Sequence, residues 1–393
     1  MRKWLLMGMI SLMLTTPALA QGFRFGDETK GLKVKISDDT DITMRIRLQP
    51  RFDMGDLVKS EDGSSYESET DIYLRRIRLE FGGQLVQNLK YSLIFEADKN
   101  GKMASSGSPT NEIKIQYANI DYKFDDLFNV RFGKAKLPYS RVSLTSSSKQ
   151  LIVERPVSTE AAKKLFDDYY QANLVLHGKA SEGLFAYNLA LADGWEPNST
   201  IYTGTTVHKS GLLYIARVEV FPPGWVEKSQ SDSHLGKGQH LTIGANYAAQ
   251  NGIEYKGTST TPNVNEEDRT LTGFDISGHW NAITGQVEYN AWKVESTDST
   301  KNTEPQGWYA QAGYFIDGPN IEPVIRYEVY DQDSNSDDKQ EKTTTLGVNW
   351  YAKGHSFKVG LNWAHTEFDQ NASGALAADD KKDMYQAQAQ LYF

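Results

Sequence analysis

The chain has 393 residues, among them 42 basic and 51 acidic side chains, with a formal net charge of −9 and no cysteine. The lack of cysteine excludes a disulfide framework and thiolate metal sites, and the acidic excess argues against nucleic acid as a partner. With 21 Tyr, 16 Phe and 32 Gly, and no later segment apolar enough for a transmembrane helix, the composition favours many short β-strands.

The first twenty residues have the pattern of a secretory signal peptide. Basic residues at positions 2 and 3 precede an apolar run over 4–14, and an Ala-Leu-Ala cleavage motif ends at Ala20. The apolar run is too short for a comfortable membrane anchor. We therefore expect export, cleavage near Ala20, and one mature domain over 21–393 with 40 basic and 51 acidic residues, a net charge of −11.

Alternation of apolar and polar residues with a period of two dominates the mature chain. In the first predicted strand Ile42, Met44 and Ile46 share one face, while Arg45 and Arg47 share the other. The alternation recurs often enough to predict sixteen strands, and it breaks at two places where we expect β-bulges, near residues 75 and 118. The predicted strands are 42–55, 70–85, 88–98, 112–124, 128–137, 168–178, 183–193, 211–221, 239–251, 268–280, 282–295, 306–317, 321–332, 342–352, 355–367 and 383–393.

The connections between these strands alternate between long polar loops and tight turns. One connection, 222–238, is long where the alternation predicts a short one. An even number of strands with short turns at one end and long loops at the other is typical of outer-membrane barrels, and neither a β-propeller nor a β-sandwich predicts it. The sequence therefore predicts an all-β fold, a sixteen-stranded antiparallel transmembrane β-barrel.

Aromatic residues fit this prediction. Trp308 and Tyr314 lie on one face of a strand, six residues and so about 20 Å apart, close to the spacing of two interfacial girdles around an apolar band of ~25 Å. The chain ends on Phe393, and a C-terminal aromatic on the last strand looks like the signature that barrel-assembly machinery reads.

Several segments, in consistent order along nearly the whole mature chain, resemble the phosphate-selective porin O/P family. The resemblance implies sixteen strands, a homotrimer and a pore whose arginines guide anions. The matching segments are Leu-Arg-Arg-Ile-Arg-Leu at 74–79, Val-Arg-Phe-Gly-Lys at 130–134, Gly-Trp-Tyr-Ala-Gln-Ala-Gly-Tyr-Phe at 307–315, Ile-Glu-Pro-Val-Ile-Arg-Tyr at 321–327 and Leu-Gly-Val-Asn-Trp-Tyr at 346–351.

Arginines recur on the polar faces that a sixteen-stranded barrel turns toward its aqueous lumen. Guanidinium groups stay charged and offer paired donors that suit phosphate or carboxylate oxygens, so a row of them would concentrate anions. The candidate pore-lining residues are Arg45, Arg47, Arg51, Arg76, Arg78, Arg131, Arg217 and Arg326.

A second interpretation of the same faces stays open, because carboxylates also fall on them. If the arginines pair with these carboxylates, the lumen has a transverse field and no net anion preference, as in a general or cation-preferring porin. The inward carboxylates are Glu80, Glu96, Asp98, Glu219, Glu288 and Glu328.

The longest connection, 138–167, follows the fifth strand, where porins commonly fold a loop into the barrel. We expect it to form a constriction loop, with Arg141, Lys149, Arg155 and Lys163 narrowing and charging the pore. The alternative is an exposed surface loop with a short helix over 158–166.

Two other classes of protein are weaker hypotheses. An outer-membrane enzyme would need a catalytic cluster, but the seven histidines form no HExxH motif and there is no G-x-S-x-G, so we expect no catalytic residue, cofactor or metal site. His177 and His279 fall on opposite predicted faces. A structural barrel would have no reason to line its lumen with unpaired arginines. The expected partners are outer-membrane lipid, lipopolysaccharide and small anionic solutes.

Overall fold

A computed structural model describes residues 31–102, 112–180, 183–196, 206–227, 229–256, 264–377 and 380–393. The predicted signal peptide, 1–20, and its cleavage site near Ala20 lie outside these residues. In the part of the chain that is described, no helix is both long and apolar enough to cross a membrane.

Strands account for most of the described chain. They are β1 (Leu32–Lys35), β2 (Asp41–Lys59), β3 (Tyr66–Val86), β4 (Leu89–Asn100), β5 (Ile113–Lys123), β6 (Asn129–Lys136), β7 (Tyr170–Ala180), β8 (Phe185–Ala192), β9 (Thr206–Lys209), β10 (Leu213–Val220), β11 (Gln239–Lys256), β12 (Val264–Trp280), β13 (Ile283–Ser296), β14 (Gln306–Tyr314), β15 (Ile321–Asp331), β16 (Gln340–His355), β17 (Phe357–Phe368) and β18 (Lys381–Tyr392).

Sixteen of these strands, β2–β8 and β10–β18, form a closed antiparallel barrel. The ring closes where β18 pairs with β2, with Gln388 opposite Arg51 and Tyr392 opposite Arg47. The amide of Phe393 then donates to the carbonyl of Ile46 at 3.1 Å. Closure pairs the backbone groups that a sheet edge would otherwise leave without partners in lipid.

The predicted strands all correspond to barrel strands, and their predicted bounds differ from the observed ones by a few residues. The short strands β1 and β9 were not predicted. β1 pairs with the first residues of β2, beyond the place where β18 ends, and β9 pairs with the end of β11.

Both predicted bulges are present. In the β2–β3 ladder Gln49 lies opposite Arg76 and Pro50 opposite Leu74, so Arg75 is the extra residue. In the β4–β5 ladder the register shifts by one at Gln116, two residues before the predicted position. An extra residue locally changes which side chains face the barrel interior.

The barrel is apolar outside and polar inside. Large apolar side chains such as Phe132, 62 % exposed, and Phe274, 55 % exposed, lie on the outer surface, whereas Gln49 and Gln390 on the inner surface are buried. A soluble barrel would have the opposite distribution. The outer surface is therefore suited to a hydrocarbon environment.

Two long connections start from opposite ends of the barrel. Residues 137–169, between β6 and β7, carry the helices α1 (Arg141–Leu144) and α2 (Val157–Leu165); we call them the crossing segment. Residues 221–238, between β10 and β11, are the connection that is long where a short turn was predicted; we call them the inserted turn. The barrel end that carries the inserted turn otherwise has tight turns, such as residues 281–282, and we call it the short-turn end.

Candidate functional site in the barrel lumen

The crossing segment runs through the barrel interior to the far side of the ring. The carbonyl of Leu151 accepts from Asn349 of β16 at 2.7 Å, and the amide of Val153 donates to Asn362 of β17 at 3.0 Å. An inward glycine of β17 leaves room for this approach, because a Cβ at Gly360 would lie 3.1 Å from Val153. The segment is thus held against strands on the opposite side of the barrel from its own origin.

An apolar patch inside the barrel explains why the segment folds inward. On β10–β13 the inner surface carries buried apolar side chains, including Leu213, Leu271 and Trp292. Leu165 and Phe166, at the end of α2, pack in the same buried cluster. Burying such a side chain contributes roughly 1.5–3 kcal/mol. The helix predicted over 158–166 is present, but the interpretation of this segment as an exposed surface loop is wrong.

The inserted turn enters the lumen from the short-turn end and meets the crossing segment. Arg141 of α1 donates to both carboxylate oxygens of Glu227 at 2.9 Å. The amide of Asp232 donates to the carbonyl of Lys149 at 3.0 Å, and the carbonyl of Asp232 accepts from Thr284 of β13 at 2.7 Å. The two segments therefore brace each other and the wall.

Arginines concentrate on the inner surface of β2 and β3. The bulge at Arg75 brings that residue inside next to Arg76, so two consecutive arginines face the lumen, each only 5 % exposed. We call this set the arginine wall; its members are Arg47, Arg51, Arg75, Arg76 and Arg78.

Carboxylates accompany the arginine wall, so its guanidinium groups take part in ion pairs. Arg47 lies 2.9 Å from Glu80, and Arg76 lies 3.8 Å from Glu96 and 3.8 Å from Asp98. The pairs are Arg47 with Glu80, Arg51 with Glu154, Arg75 with Asp98 and Glu154, Arg76 with Glu96 and Asp98, and Arg78 with Glu96.

Glu154 belongs to the crossing segment and is the carboxylate that joins this segment to the arginine wall. It pairs with Arg51 and Arg75. Partial burial by itself would raise the pKa of Glu154, but the guanidinium groups of Arg51, Arg75 and Arg76 hold that pKa well below its ordinary value. Glu154 is therefore a stable negative charge within a cationic surrounding.

The remaining predicted wall arginines are also inside the barrel. Arg217 is 1 % exposed and Arg326 is 4 % exposed, whereas the side chain of Arg131 keeps 32 % of its surface accessible. Arg45 lines a cavity described below. The ion pairs of this group are Arg131 with Asp121 at 2.8 Å, Arg217 with Asp275 at 2.7 Å, and Arg326 with Glu328 at 3.0 Å.

The inner surface is unevenly covered. Inward residues of β16–β18 are buried beneath the two inserted segments, as Asn349 at 1 % and Gln390 at 0 % exposure show. On β4–β6, by contrast, inward residues such as Ser92, Asn119 and Arg131 are half-buried. The more accessible side of the lumen is therefore the β4–β6 side, next to the arginine wall.

A cavity of ≈ 420 Å³ lies on this accessible side, toward the short-turn end of β2–β4. Its lining includes the cationic side chains of Arg45, Lys90 and Lys33, together with Glu80 and Asp41. Cations and carboxylates are thus both within reach of a solute in this cavity.

Comparisons with known proteins agree with this architecture. A model of the family described as "Phosphate-selective porin O and P" matches residues 44–393. The chain belongs to this porin family.

Relatives match along almost the full length. A protein of Aquifex aeolicus described as uncharacterized is 38 % identical over 394 residues, covering 93 % of this chain and 91 % of the relative. Porin O of Pseudomonas aeruginosa is 23 % identical over 418 residues, covering 93 % of this chain and 92 % of that protein. The family assignment therefore extends over the whole barrel.

Solved porin structures share the fold. The anion-selective porin of Comamonas acidovorans has a TM-score of 0.64 at 14 % identity, with 90 % of this chain and 99 % of that chain covered. The trimer form of OmpT from Vibrio cholerae has a TM-score of 0.56 at 11 % identity, with 90 % and 99 % covered. Family and fold together identify an outer-membrane porin, a channel rather than an enzyme.

The structure of the porin corrects three expectations. At least seven of the eight predicted lumen arginines form ion pairs, so the expectation of unpaired arginines, which counted against a structural barrel, is wrong. Arg141 is 1 % exposed and bound to Glu227, so it braces the lumen interior and does not charge an open passage. His177 and His279 do not lie on opposite faces: His177 pairs with inward Asp121, and His279 is buried inside the barrel.

The other three residues that were predicted to narrow and charge the pore each contact a different group. Lys149 donates to Ser229 of the inserted turn at 2.6 Å, and Arg155 donates to the carbonyl of Val142 at 3.2 Å. Lys163 lies 3.6 Å from Asp168. Each of them bonds within or between the two inserted segments.

Sequence reasoning missed several residues that shape this lumen. Arg75 was recognised as a break in alternation but not as an inward arginine. Glu227 lies in a connection for which no inward fold was predicted, and Lys358 of β17 donates to the carbonyl of Gln150 at 2.7 Å. Inward glycines are a signal that was available, because Gly313 and Gly360 lie where the crossing segment approaches the wall.

Proposed function

We propose that this porin conducts small anions, including phosphate, along the accessible side of its lumen next to the arginine wall. The observation that carries the proposal is the row of inward arginines on β2 and β3, extended by the bulge at Arg75. The description of the family to which this chain belongs names phosphate selectivity and porin O, and this supports the choice of solute.

Partly accessible side chains line the proposed route toward both ends of the barrel. Toward the long loops, the side chains of Asp98 and Lys102 keep 41 % and 34 % of their surface accessible. Toward the short-turn end, the route continues past Arg131 into the cavity lined by Arg45 and Lys90. In outer-membrane barrels the short turns face the periplasm, so solutes would leave the channel there.

Arginines that are paired with carboxylates are better suited to letting anions pass than to binding them tightly. A carboxylate beside each guanidinium group competes with the passing anion, which keeps each binding site weak while the charge still attracts the solute. Conduction needs binding that is strong enough for entry and weak enough for release. The pair Arg131–Asp121, whose side chains keep 32 % and 23 % of their surface accessible, is an example of such a balanced site.

The charge distribution also supports a second candidate, a general porin with a transverse field. The side of the barrel opposite the arginine wall carries the carboxylates Asp275, which pairs with Arg217, and Glu288, both 1–2 % exposed. A basic side facing an acidic side orients polar solutes without selecting anions. The reversal potential of the channel in a KCl gradient distinguishes the two candidates.

We further propose a homotrimer that lies in outer-membrane lipid and lipopolysaccharide after cleavage near Ala20. Support comes from the family resemblance and from the trimer form in which the OmpT structure was described. The A-x-A motif that ends at Ala20 supports the cleavage site.

Planar-bilayer recordings test the choice of solute. The mature protein is reconstituted, the reversal potential is measured in a KCl gradient, and phosphate is then added as a competing anion. We expect a reversal potential that reports anion preference and a concentration-dependent block by phosphate. In the double variant Arg76→Ala/Arg78→Ala we expect the preference to fall about fivefold or more, since ~1 kcal/mol changes a ratio about fivefold.

Two controls make this result specific. Arg76→Lys/Arg78→Lys keeps the charges and should keep the anion preference, whereas exposed Lys123→Gln should leave every reading unchanged. A wild-type reversal potential near zero would favour the transverse-field porin, and a cation preference would overturn the anion proposal. Open channels that phosphate does not block would leave anion conduction in place and remove phosphate as a solute.

A further inference from the structure

Three histidines converge inside the barrel near its short-turn end, away from the arginine wall. His234 belongs to the inserted turn, His240 begins β11 and His279 ends β12. One ring nitrogen from each can be chosen so that all three lie within 4.8 Å of one another. His240 and His279 are 2 % and 7 % exposed, so the cluster is shielded from bulk solvent.

In two of the rings, those of His234 and His279, one nitrogen donates to a backbone carbonyl and the other nitrogen is left with a lone pair. Nε2 of His279 lies 2.9 Å from the carbonyl of Lys237, which makes that nitrogen the N–H donor and leaves Nδ1 with a lone pair. Nε2 of His234 lies 3.1 Å from the carbonyl of Ser231, with the same consequence. Metal-binding histidines typically donate their second ring nitrogen to a carbonyl or carboxylate in this way.

The third ring, that of His240, lies against both of the others, which are stacked on each other with centroids 3.7 Å apart. Nε2 of His240 lies 3.3 Å from the hydroxyl of Ser277, and its Nδ1 faces Nδ1 of His279 at 2.5 Å. The ring centroids of His234 and His240 are 4.8 Å apart, and those of His240 and His279 are 4.6 Å apart. Because Nδ1 of His279 has a lone pair, either the proton of His240 Nδ1 or a cation must lie between the two Nδ1 atoms.

A carboxylate next to the cluster adds the charge that a cation site needs. Glu227 lies 3.3 Å from Nε2 of His234 and 4.0 Å from Nε2 of His240, and Arg141 holds it through two hydrogen bonds. The two hydrogen bonds from Arg141 fix the Glu227 carboxylate in place beside the imidazoles.

We infer that His234, His240 and His279 bind a divalent transition-metal ion of the zinc class, with Glu227 orienting His234. Three neutral imidazoles suit Zn²⁺, Cu²⁺ or Ni²⁺ and are poor ligands for Ca²⁺ or Mg²⁺. A bound ion would fasten the inserted turn to β11 and β12. This site was not predicted from the sequence, because the spacing of the three residues matches no metal-ligand motif.

The test measures metal on the whole folded porin and is independent of conduction, so its failure would leave the channel assignment untouched. Purified trimer or monomer in detergent is dialysed against micromolar ZnCl₂, and bound zinc is counted by mass spectrometry. We expect one tightly held zinc per chain. X-ray absorption should show nitrogen ligands at about 2.0–2.1 Å from the metal.

Three variants locate the site. His240→Gln/His279→Gln should lose the bound zinc, and His234→Gln, which lies outside the strands and leaves the barrel ladder intact, should lower zinc affinity at least tenfold. His177→Gln, another inward histidine beside a carboxylate, should keep the wild-type stoichiometry. Folding of each variant is checked by heat-modifiable gel migration of the same sample.

Two outcomes would overturn the inference. Zinc bound by folded His240→Gln/His279→Gln as tightly as by the wild type would place the ion elsewhere, for instance on the acidic loops. A folded wild type that binds no zinc, copper or nickel would mean that a shared proton joins His240 and His279.

Discussion

At the scale of single residues, Glu154 is the side chain through which the crossing segment contacts the arginine wall. It accepts from Arg51 and Arg75, and those guanidinium groups together with Arg76 keep its pKa well below the ordinary value although the side chain is half-buried. One carboxylate therefore offsets part of the charge of three arginines. Its removal would make the wall more cationic.

We expect Glu154→Gln to raise the anion-to-cation permeability ratio by a factor of up to about five, the effect of ~1 kcal/mol on a ratio. Reversal potentials in a KCl gradient measure this change. Asp62→Asn, which removes a fully exposed loop carboxylate, is the matched control and should leave the ratio unchanged. An unchanged ratio in Glu154→Gln would show that the passing ion does not sense the wall.

The difference in unfolding temperature between Glu154→Gln and the wild type should depend on pH. A group whose pKa is depressed in the folded protein contributes stability above its ordinary pKa, here 4.5, and loses that contribution as the pH falls through the folded value. Glu154→Gln should therefore unfold at a lower temperature than the wild type at neutral pH, and the difference should shrink below pH 4.5. A difference that does not change with pH would contradict this account.

At the scale of elements, two connections that enter from opposite ends fill much of the lumen. The crossing segment is anchored by apolar burial on β10–β13, and the inserted turn is held by the Arg141–Glu227 pair. Glycines at 236 and 238, with φ of 70° and 76°, let the inserted turn reverse sharply before β11. The free cross-section is therefore set by both segments.

Replacing 222–237 by a two-residue turn should raise the single-channel conductance severalfold, because it removes the support beneath the crossing segment and widens the lumen. Single-channel recording in planar bilayers measures the effect. Shortening the long-loop connection 333–338 by a similar replacement is the control and should change conductance little. Equal conductance in both variants would mean that the inserted turn does not limit the passage.

At the scale of the whole molecule, stability depends on closing the ring. β18 pairs with β17 on one side and β2 on the other, so removing it would expose two sheet edges. Backbone groups without partners cost several kcal/mol each in hydrocarbon.

Deletion of 381–393 should therefore abolish the folded form, seen as loss of heat-modifiable gel migration after refolding in detergent. Deletion of β1, residues 32–35, is the matched control, since β1 pairs with β2 outside the ring of sixteen strands. That variant should fold. A truncated chain without β18 that still folds and conducts would refute the closed ring as the source of stability.

The sequence by itself determined the barrel. Side-chain alternation is a local property of an extended strand, so residues 42–52 already show which side chains share a face, and the break at Arg75 already marks a bulge. Inward arginines and carboxylates could be named for the same reason. The family resemblance implied the same number of strands and added the class of channel.

Only the tertiary structure decided which charges meet and what fills the lumen. Arg141 and Glu227 are separated by 86 positions, and their contact exists because two connections fold inward from opposite ends of the barrel. His234 and His279 likewise come together only when the inserted turn packs on the wall. Local periodicity carries no information on such contacts, because they depend on how irregular segments pack inside a closed ring.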